Sequence, residues 1–155
     1  MRRLSSAWYK KNAPVCMNNI VVIESTKKQW TAWKNPLHDT LSQGLVFLKR
    51  HNLFLEVFLI SDIAMQRLNK KYRGKDMSTN VISFPYTVPF PIGPHKKNMR
   101  LGELYLAPHY ITTHREDYRV LAIHGLLHIL GYTHDTDRAM MKMERVARTL
   151  ESQML

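Results

Sequence analysis

The chain has 155 residues, of which 45% are hydrophobic and 23% charged, a composition that is typical of one globular domain and excludes a mainly disordered chain. Lys and Arg number 23 against 12 Asp and Glu, and the net charge of +11 favours a polyanionic partner, above all nucleic acid, over a merely soluble basic surface. No apolar run approaches the roughly 18 residues of a membrane-spanning helix, so we expect a soluble protein that does not act at a membrane.

The N-terminal segment is basic and contains no acidic residue before Glu24. Its positive charges and serines are Arg2, Arg3, Ser5, Ser6, Lys10 and Lys11. Such a composition is typical of a mitochondrial transit segment, although it also suits a flexible N-terminus on a cytoplasmic protein. We therefore predict a targeting or flexible segment over residues 1–18 and one domain over residues 19–155. The predicted location is mitochondrial, with the cytoplasm as the alternative.

The domain alternates predicted strands and helices without a strict βαβ rhythm. Runs of β-branched and aromatic residues predict strands over residues 19–24, 53–61, 81–86 and 100–108. Helical spacing of apolar residues predicts helices over residues 30–50, 62–72, 108–115 and 118–130, and from Thr136 onward. Ser61 and Asp62 are the predicted N-cap residues of the second helix, and loop 87–99 carries too many prolines for regular strand pairing. The pattern predicts an α+β fold, a single domain in which a mixed β-sheet packs against helices.

Two of the later helices carry an apolar face that we expect to lie in the core. On the helix over residues 118–130 this face consists of Val120, Ile123, Leu127 and Leu130. On the last helix it consists of Met140, Met143, Ala147 and Leu150. Methionines at this spacing are more typical of core packing than of a specialised methionine site.

The stretch HGLLHILGYTH places three histidines close together in sequence. His124 and His128 are four residues apart on the predicted helix, so their imidazoles project from the same side. Gly131 follows the last apolar residue, where a helix commonly stops in a left-handed turn that can bring His134 back toward the other two. The pattern predicts a three-histidine metal site at the end of a core helix. The alternative is three unrelated histidines.

Three neutral imidazoles suit Zn²⁺, with a water molecule in the fourth position. The single cysteine, Cys16, is too distant in sequence to complete the tetrahedron, so we expect an open site. An open zinc site acidifies its bound water toward a pKa of about 7, which indicates hydrolytic chemistry. Imidazole also binds nickel, copper and iron, which remain alternatives. The other five histidines lack this context and are expected at the surface: His38, His51, His95, His109 and His114.

The spacing of the histidines and the glycine is shared with the H-E-x-x-H-x-x-G-x-x-H signature of metalloproteases. In this chain Gly125 occupies the position of the glutamate. A protease would therefore lack its general base, and a metalloprotease is a remote alternative.

Two blocks of sequence carry a resemblance to a known family. HGLLHILGYTH is similar to the pattern H-G-x-L-H-L-x-G-Y-D-H, and LNKKYRGKDMSTNVISFPY, residues 68–86, is similar to L-N-x-x-Y-R-x-K-D-x-x-T-[DN]-V-L-S-F-P-F. Both patterns belong to the YbeY family of zinc-dependent endoribonucleases, which act in ribosomal RNA maturation, and LGELYLAP resembles a further strand of that family. The chain departs from the family pattern at Thr133 and Glu103, where aspartate is usual.

The resemblance implies that His124, His128 and His134 are zinc ligands. It also implies that Arg73 is the functionally important arginine of the family, a role that suits a guanidinium binding a phosphate oxygen. The alternative for Arg73 is a solvated position in a basic run. Substrate contacts are predicted for Lys75, Lys96, Lys97 and Arg100, whereas Asp76, Thr79 and Asn80 either shape the same pocket or, for Thr79 and Asn80, turn the chain into the next strand.

The implied function is zinc-dependent cleavage of single-stranded RNA in the maturation of the 3′ end of small-subunit ribosomal RNA. Ribosomal RNA or a pre-ribosomal small subunit would be the partner, together with ribosomal proteins or assembly factors. The alternative is a ribosome-assembly factor that binds such particles with weak or no cleavage.

Overall fold

Among residues 19–87, 91–92 and 95–155, which the computed structural model describes, five strands form one mixed β-sheet. The strands are β1 Ile20–Ser25, β2 Leu53–Leu59, β3 Val81–Pro85, β4 Pro91–Ile92 and β5 His95–Leu106. Their order is β1-β2-β5-β3, with β4 also on β5. Strands β1, β2 and β5 run parallel, whereas β3 and β4 pair antiparallel with β5. The predicted mixed sheet is confirmed.

Some predictions concern residues beyond this description. The targeting segment predicted over residues 1–18 lies outside the described residues. Residues 91–92 and 95–97 are described by their backbone, so the side chains of Lys96 and Lys97 also lie outside the description.

The helices of the described residues follow the predicted order. They are α1 Lys34–Phe47, α2 Asp62–Arg73, α3 Pro108–Thr113, α4 Tyr118–Ile129 and α5 Asp137–Met154, and a 3-10 helix, Lys28–Trp33, precedes α1. The helix predicted over residues 30–50 is therefore wrong at both ends. Pro36 lies in the first turn of α1, where its missing N–H has no helical partner to lose. None of the helices in these described ranges is long and apolar enough to cross a lipid bilayer.

The predicted proline loop over residues 87–99 is wrong in part. Strand β5 begins at His95, and Pro91 and Ile92 form β4, which pairs with β5. A proline is tolerated in such a short edge strand because the side of the strand that faces away from the sheet needs no N–H donor.

Local side-chain chemistry sets the ends of three helices. Ser61, Asp117 and Thr136 are the N-caps of α2, α4 and α5, and each accepts a hydrogen bond from a first-turn backbone N–H, at 3.3, 2.8 and 3.2 Å. Helix α2 ends at Gly74, whose φ of 69° lies in the left-handed region that glycine adopts without strain. The predicted cap at Ser61 is confirmed.

The sheet has helices on both faces. Helices α1 and α4 pack on one face and share its core with the strands, while α5 lies behind α4. On the opposite face, side chains of α2 and α3 pack against β2, β3 and the end of β5. This arrangement places α4 in the middle of the protein, between the sheet, α1 and α5.

Helix α4 is buried on more than the one face that its apolar stripe predicts. The buried residues of α4 are Ala122, Ile123, Gly125, Leu126, Leu127 and Ile129, while Val120 and Leu130 are only half-buried. Leu130 packs against the main core as predicted, whereas Val120 belongs to none of the core clusters, so its assignment to the core is wrong. Because α4 has neighbours on three sides, no single stripe defines its core face. A Cβ atom at Gly125 would overlap the Cδ1 methyl of Leu104, which explains how closely α4 approaches β5.

Helix α5 has the predicted apolar face with one exception. Met143, Ala147 and Leu150 are buried against α4. Met140 is 39% exposed, so its assignment to the core is wrong. It lies in the first turn of α5, before the helix is covered by α4.

Candidate functional site

The end of α4 brings two of the three histidines of HGLLHILGYTH into contact. His128 lies in the last turn of α4, and the chain reverses at Gly131, whose φ is 90°. After this turn the ring of His134 lies against the ring of His128, with 4.4 Å between the ring centroids and an interplanar angle of 76°. His128 is half-buried and His134 is exposed, so the pair is open to solvent on one side.

The surroundings of His128 fix its tautomer and keep it neutral. Its Nδ1–H donates to the carbonyl oxygen of Tyr132 at 3.1 Å, so Nε2 retains the lone pair that can bind a metal. Burial lowers the pKa of His128, and the positive charge of a protonated His134 lowers it further. The hydrogen bond to Tyr132 opposes this shift without reversing it. Neutral imidazole is the form that ligates metal ions.

His124 lies one turn before His128 on α4 and has a carboxylate as its neighbour. Its Nε2 is 3.4 Å from Oε1 of Glu151, a half-buried residue of α5. No sequence motif marks Glu151, because its proximity to His124 results from the packing of α5 on α4. Within the described ranges, no three His, Cys, Asp or Glu side chains stand in a complete metal-binding arrangement.

Arg73 lies near the histidines because α2 ends beside the edge strand β3. The ring of Tyr72 packs edge-on against Phe84 of β3, with 4.8 Å between the ring centroids. Strand β3 in turn contacts α4. Arg73 is exposed, and its positive charge is close enough to His128 to contribute to the lowering of the histidine pKa. The fold therefore brings the charge of Arg73 within electrostatic reach of His128, although the two residues belong to distant segments of the chain.

The family model described as Endoribonuclease YbeY matches residues 19–154. The chain belongs to the YbeY family. It is 37% identical over 106 residues to an Endoribonuclease YbeY of Thermodesulfovibrio yellowstonii, a match that covers 60% of this chain and 64% of that protein. It is 36% identical over 110 residues to an Endoribonuclease YbeY of Rhodopseudomonas palustris, covering 64% of this chain and 63% of the relative.

The matched region thus spans just under two thirds of these two YbeY relatives. An Endoribonuclease YbeY of Francisella tularensis is 33% identical over 120 residues, with 71% of this chain and 74% of that protein covered. The solution structure of a Thermotoga maritima protein covers 87% of this chain and 90% of its own, at 19% identity and a TM-score of 0.43.

The other predicted substrate residues do not gather at the histidines in the same way. Lys75 is exposed in the loop two residues after Arg73. Arg100 forms an ion pair with Glu56, which lies between Leu55 and Val57 on β2. Because these two neighbours face the core shared with α4 and side chains alternate along a strand, Glu56 and Arg100 lie on the opposite face of the sheet.

Polar residues after α2 stabilise the loop that joins Arg73, the last residue of α2, to strand β3. Asp76 accepts a hydrogen bond from Lys70 at 2.6 Å, an interaction that lowers the pKa of its carboxyl group. Asn80 accepts from the backbone N–H of Val81 at 2.7 Å and donates to Glu116 at 3.0 Å. These contacts favour the turn-forming role for Asn80.

Glu103, where the YbeY pattern has aspartate, accepts hydrogen bonds from two tyrosines. The hydroxyl groups of Tyr86 and Tyr105 donate to it at 2.6 and 2.8 Å. Burial, together with the contact to Glu103, raises the pKa of Tyr86 to about 12 and raises that of Tyr105 as well. The longer carboxylate therefore reaches its partners, on the same face of the sheet as Arg100 and Glu56.

The structure also gives a physical reason for the missing protease glutamate. Gly125 is buried where α4 meets Leu104 of β5, and any side chain at this position would point into that contact. A carboxylate cannot be held there as a general base, which is consistent with the YbeY assignment and not with a zinc peptidase.

The donor chemistry at the end of α4 fits a zinc ion. Three imidazoles are present, of which His128 is kept neutral with Nδ1 engaged, and the carboxylate of Glu151 lies beside His124. Nitrogen and oxygen donors of these types are those that zinc accepts. The residue types therefore suit a metal ion, although the described side chains do not stand in a complete metal-binding arrangement.

Proposed function

We propose that this chain is a zinc-dependent endoribonuclease that hydrolyses single-stranded RNA during maturation of the 3′ end of small-subunit ribosomal RNA. The observation that carries the proposal is the contact between the rings of His128 and His134, together with the positive charge of Arg73 that acts on His128. Family membership supports it, since the relatives bear the name Endoribonuclease YbeY. Ribosomal RNA, a pre-ribosomal small subunit and its proteins are the proposed partners.

In this mechanism His124, His128 and His134 would hold the metal. When bound, zinc supplies an acidified water and a Lewis acid for a phosphoryl oxygen. The hydrogen bond from His128 to the carbonyl of Tyr132 keeps the imidazole ring in one orientation. Burial of His128 keeps it from capturing a proton that would abolish its ligand lone pair.

Arg73 would bind the phosphate whose bond is cleaved. Its guanidinium group is exposed, permanently charged and able to donate two parallel hydrogen bonds to phosphate oxygens. Such a group stabilises the negative charge that grows on those oxygens in the transition state. The net charge of +11 would add affinity for RNA that does not depend on its sequence.

Two substitutions separate metal binding from phosphate binding. We expect His128→Ala to lose both zinc and cleavage of a labelled fragment from the 3′ end of small-subunit ribosomal RNA. We expect Arg73→Ala to keep its zinc and to lose cleavage by about 100-fold or more, the usual effect of removing one donor to developing charge. Arg67→Ala is the matched control, since it removes an exposed arginine from the same helix.

Each outcome has a defined meaning. Cleavage by Arg73→Ala at the wild-type rate would refute the phosphate-binding role. A zinc-loaded wild-type protein that binds but does not cut the RNA would favour the ribosome-assembly factor. Turnover of a peptide that disappears in His128→Ala would revive the metalloprotease.

We also propose that residues 1–18 direct the protein to mitochondria, on the basis of their basic, acid-free composition. A fluorescent protein fused behind residues 1–18 should enter mitochondria. A version with Arg2, Arg3, Lys10 and Lys11 replaced by glutamine should stay in the cytoplasm. Cytoplasmic retention of both fusions would contradict the proposal.

A further inference from the structure

A cavity of about 240 Å³ lies beside the turn that joins α4 to His134. Gly131, Tyr132 and Thr133 form part of its wall, and the rest includes Arg50 from the loop after α1 and Lys142 from α5. The volume is below the roughly 300–1,000 Å³ of pockets that enclose a whole small molecule. It suits a compact group such as one phosphate.

The cavity presents positive charge that is not neutralised. Arg50 and Lys142 are both exposed, and none of the described residues in the cavity wall is acidic. Neither cation forms an ion pair with a carboxylate of the described residues. Lys142 lies over the ring of Tyr132, with 5.6 Å from Nζ to the ring centroid, and this contact holds the ammonium group at the cavity.

The cavity and the histidine site share one stretch of backbone. Thr133 lines the cavity and is followed directly by His134, which packs against His128. Because Thr133 and His134 are adjacent in the chain, a single strand bound at the histidine pair would pass beside the cavity wall.

We propose that Arg50 and Lys142 form a second phosphate-binding subsite, which holds a backbone phosphate of single-stranded RNA next to the cleaved linkage. The inference rests on the proposed ribonuclease function and specifies how the substrate strand runs across the protein. It also gives a role to Thr133, which stands where the YbeY pattern has aspartate. An aspartate would place a negative charge in the cavity wall, whereas threonine leaves the positive charge intact.

The test is the salt dependence of RNA binding. A labelled single-stranded RNA of about 12 nucleotides, within the usual site sizes of small single-strand binders, is titrated with the full chain by stopped-flow anisotropy, which records binding before cleavage. Each phosphate contact on a single strand contributes about 0.7 to the slope of log affinity against log salt. We expect Lys142→Gln and Arg50→Gln each to weaken binding about fivefold and to lower the slope by about 0.7.

The matched control is Arg148→Gln, which removes a positive charge from the same helix outside the cavity. We expect it to leave the slope unchanged. Thr133→Asp should weaken binding with its zinc content unchanged, because it places a negative charge beside the phosphate. Wild-type RNA binding with the same slope in Lys142→Gln, Arg50→Gln and Arg148→Gln would overturn the subsite while leaving the ribonuclease proposal intact.

Two further outcomes separate the remaining possibilities. If inorganic phosphate binds in the cavity but the salt slope of RNA binding does not change in Lys142→Gln and Arg50→Gln, the cavity binds free phosphate only and the RNA subsite is wrong. If the wild-type chain binds no single-stranded RNA, the proposed function fails and the subsite fails with it.

Discussion

Replacing Gly125 with alanine tests how closely α4, the helix that carries His124 and His128, must approach the sheet. Gly125 is buried in the middle of α4, and a Cβ atom added there would overlap the Cδ1 methyl of Leu104. Leu104 is itself fully buried in the main core, so its methyl group has no free space into which to move.

Two opposing effects set the magnitude. Overpacking a core by one methyl group costs about 1–3 kcal/mol. Alanine in a helix interior is more favourable than glycine by about 1 kcal/mol, which offsets part of that cost. We therefore expect Gly125→Ala to lower the free energy of unfolding by up to about 2 kcal/mol. In a chain of this size the melting temperature would fall by about 2–4 °C for each kcal/mol.

Gly44 provides the matched control on α1. It is also a buried glycine inside a helix, but a Cβ atom there would meet its nearest neighbour, the Cδ2 methyl of Leu126, at 3.3 Å. We expect Gly44→Ala to be neutral or slightly stabilising. The assay is urea denaturation of both variants, and Gly125→Ala is also measured in a Leu104→Ala background. The clash is absent in that background, so the losses in unfolding free energy of the two substitutions should not add. Equal stability of Gly125→Ala and Gly44→Ala would refute the reasoning.

Three further predictions concern other parts of the fold. Because the pKa of Tyr86 is raised from 10.0 to about 12, its contribution to stability is present below pH 10 and is lost as the pH rises through about 12. Denaturation measured across this pH range should show the loss of stability, and the loss should be smaller in Tyr86→Phe. Asp117→Ala removes the N-cap of α4 and should cost about 1 kcal/mol in a thermal melt, unless another group caps the helix equally well. Met143→Ala should cost about 2–5 kcal/mol, whereas Met140→Ala should cost under about 1 kcal/mol, and similar losses would contradict the burial difference.

The parts of the structure that depend on neighbouring residues in sequence could be predicted. The stop of α4 at Gly131 and the cap at Ser61 follow from the local chemistry of glycine and serine, which acts over four or five residues. The return of His134 toward His128 follows from the same turn. For this reason the stretch HGLLHILGYTH predicts the contact between these two histidines.

Contacts between distant segments could not be predicted in the same way. The neighbour of His124 is Glu151, which the packing of α5 brings to it, and the partner of Arg100 is Glu56, which the register of β2 and β5 brings to it. Apolar periodicity predicts one core face on a helix and cannot report a helix with neighbours on three sides. The pairing of β4 with β5 likewise depends on the edge of the sheet, where a proline is tolerated.

The position of α4 gives the three histidines unequal mechanical support. His124 and His128 belong to the most enclosed helix, whose amides should exchange with deuterium only when the whole domain unfolds. His134 follows the glycine turn in a stretch of exposed residues, which can open at a much smaller free-energy cost. Lifting that stretch would separate the rings of His134 and His128 while the core stays packed. The contact between His128 and His134 therefore depends on a short loop and not on the stability of the whole fold.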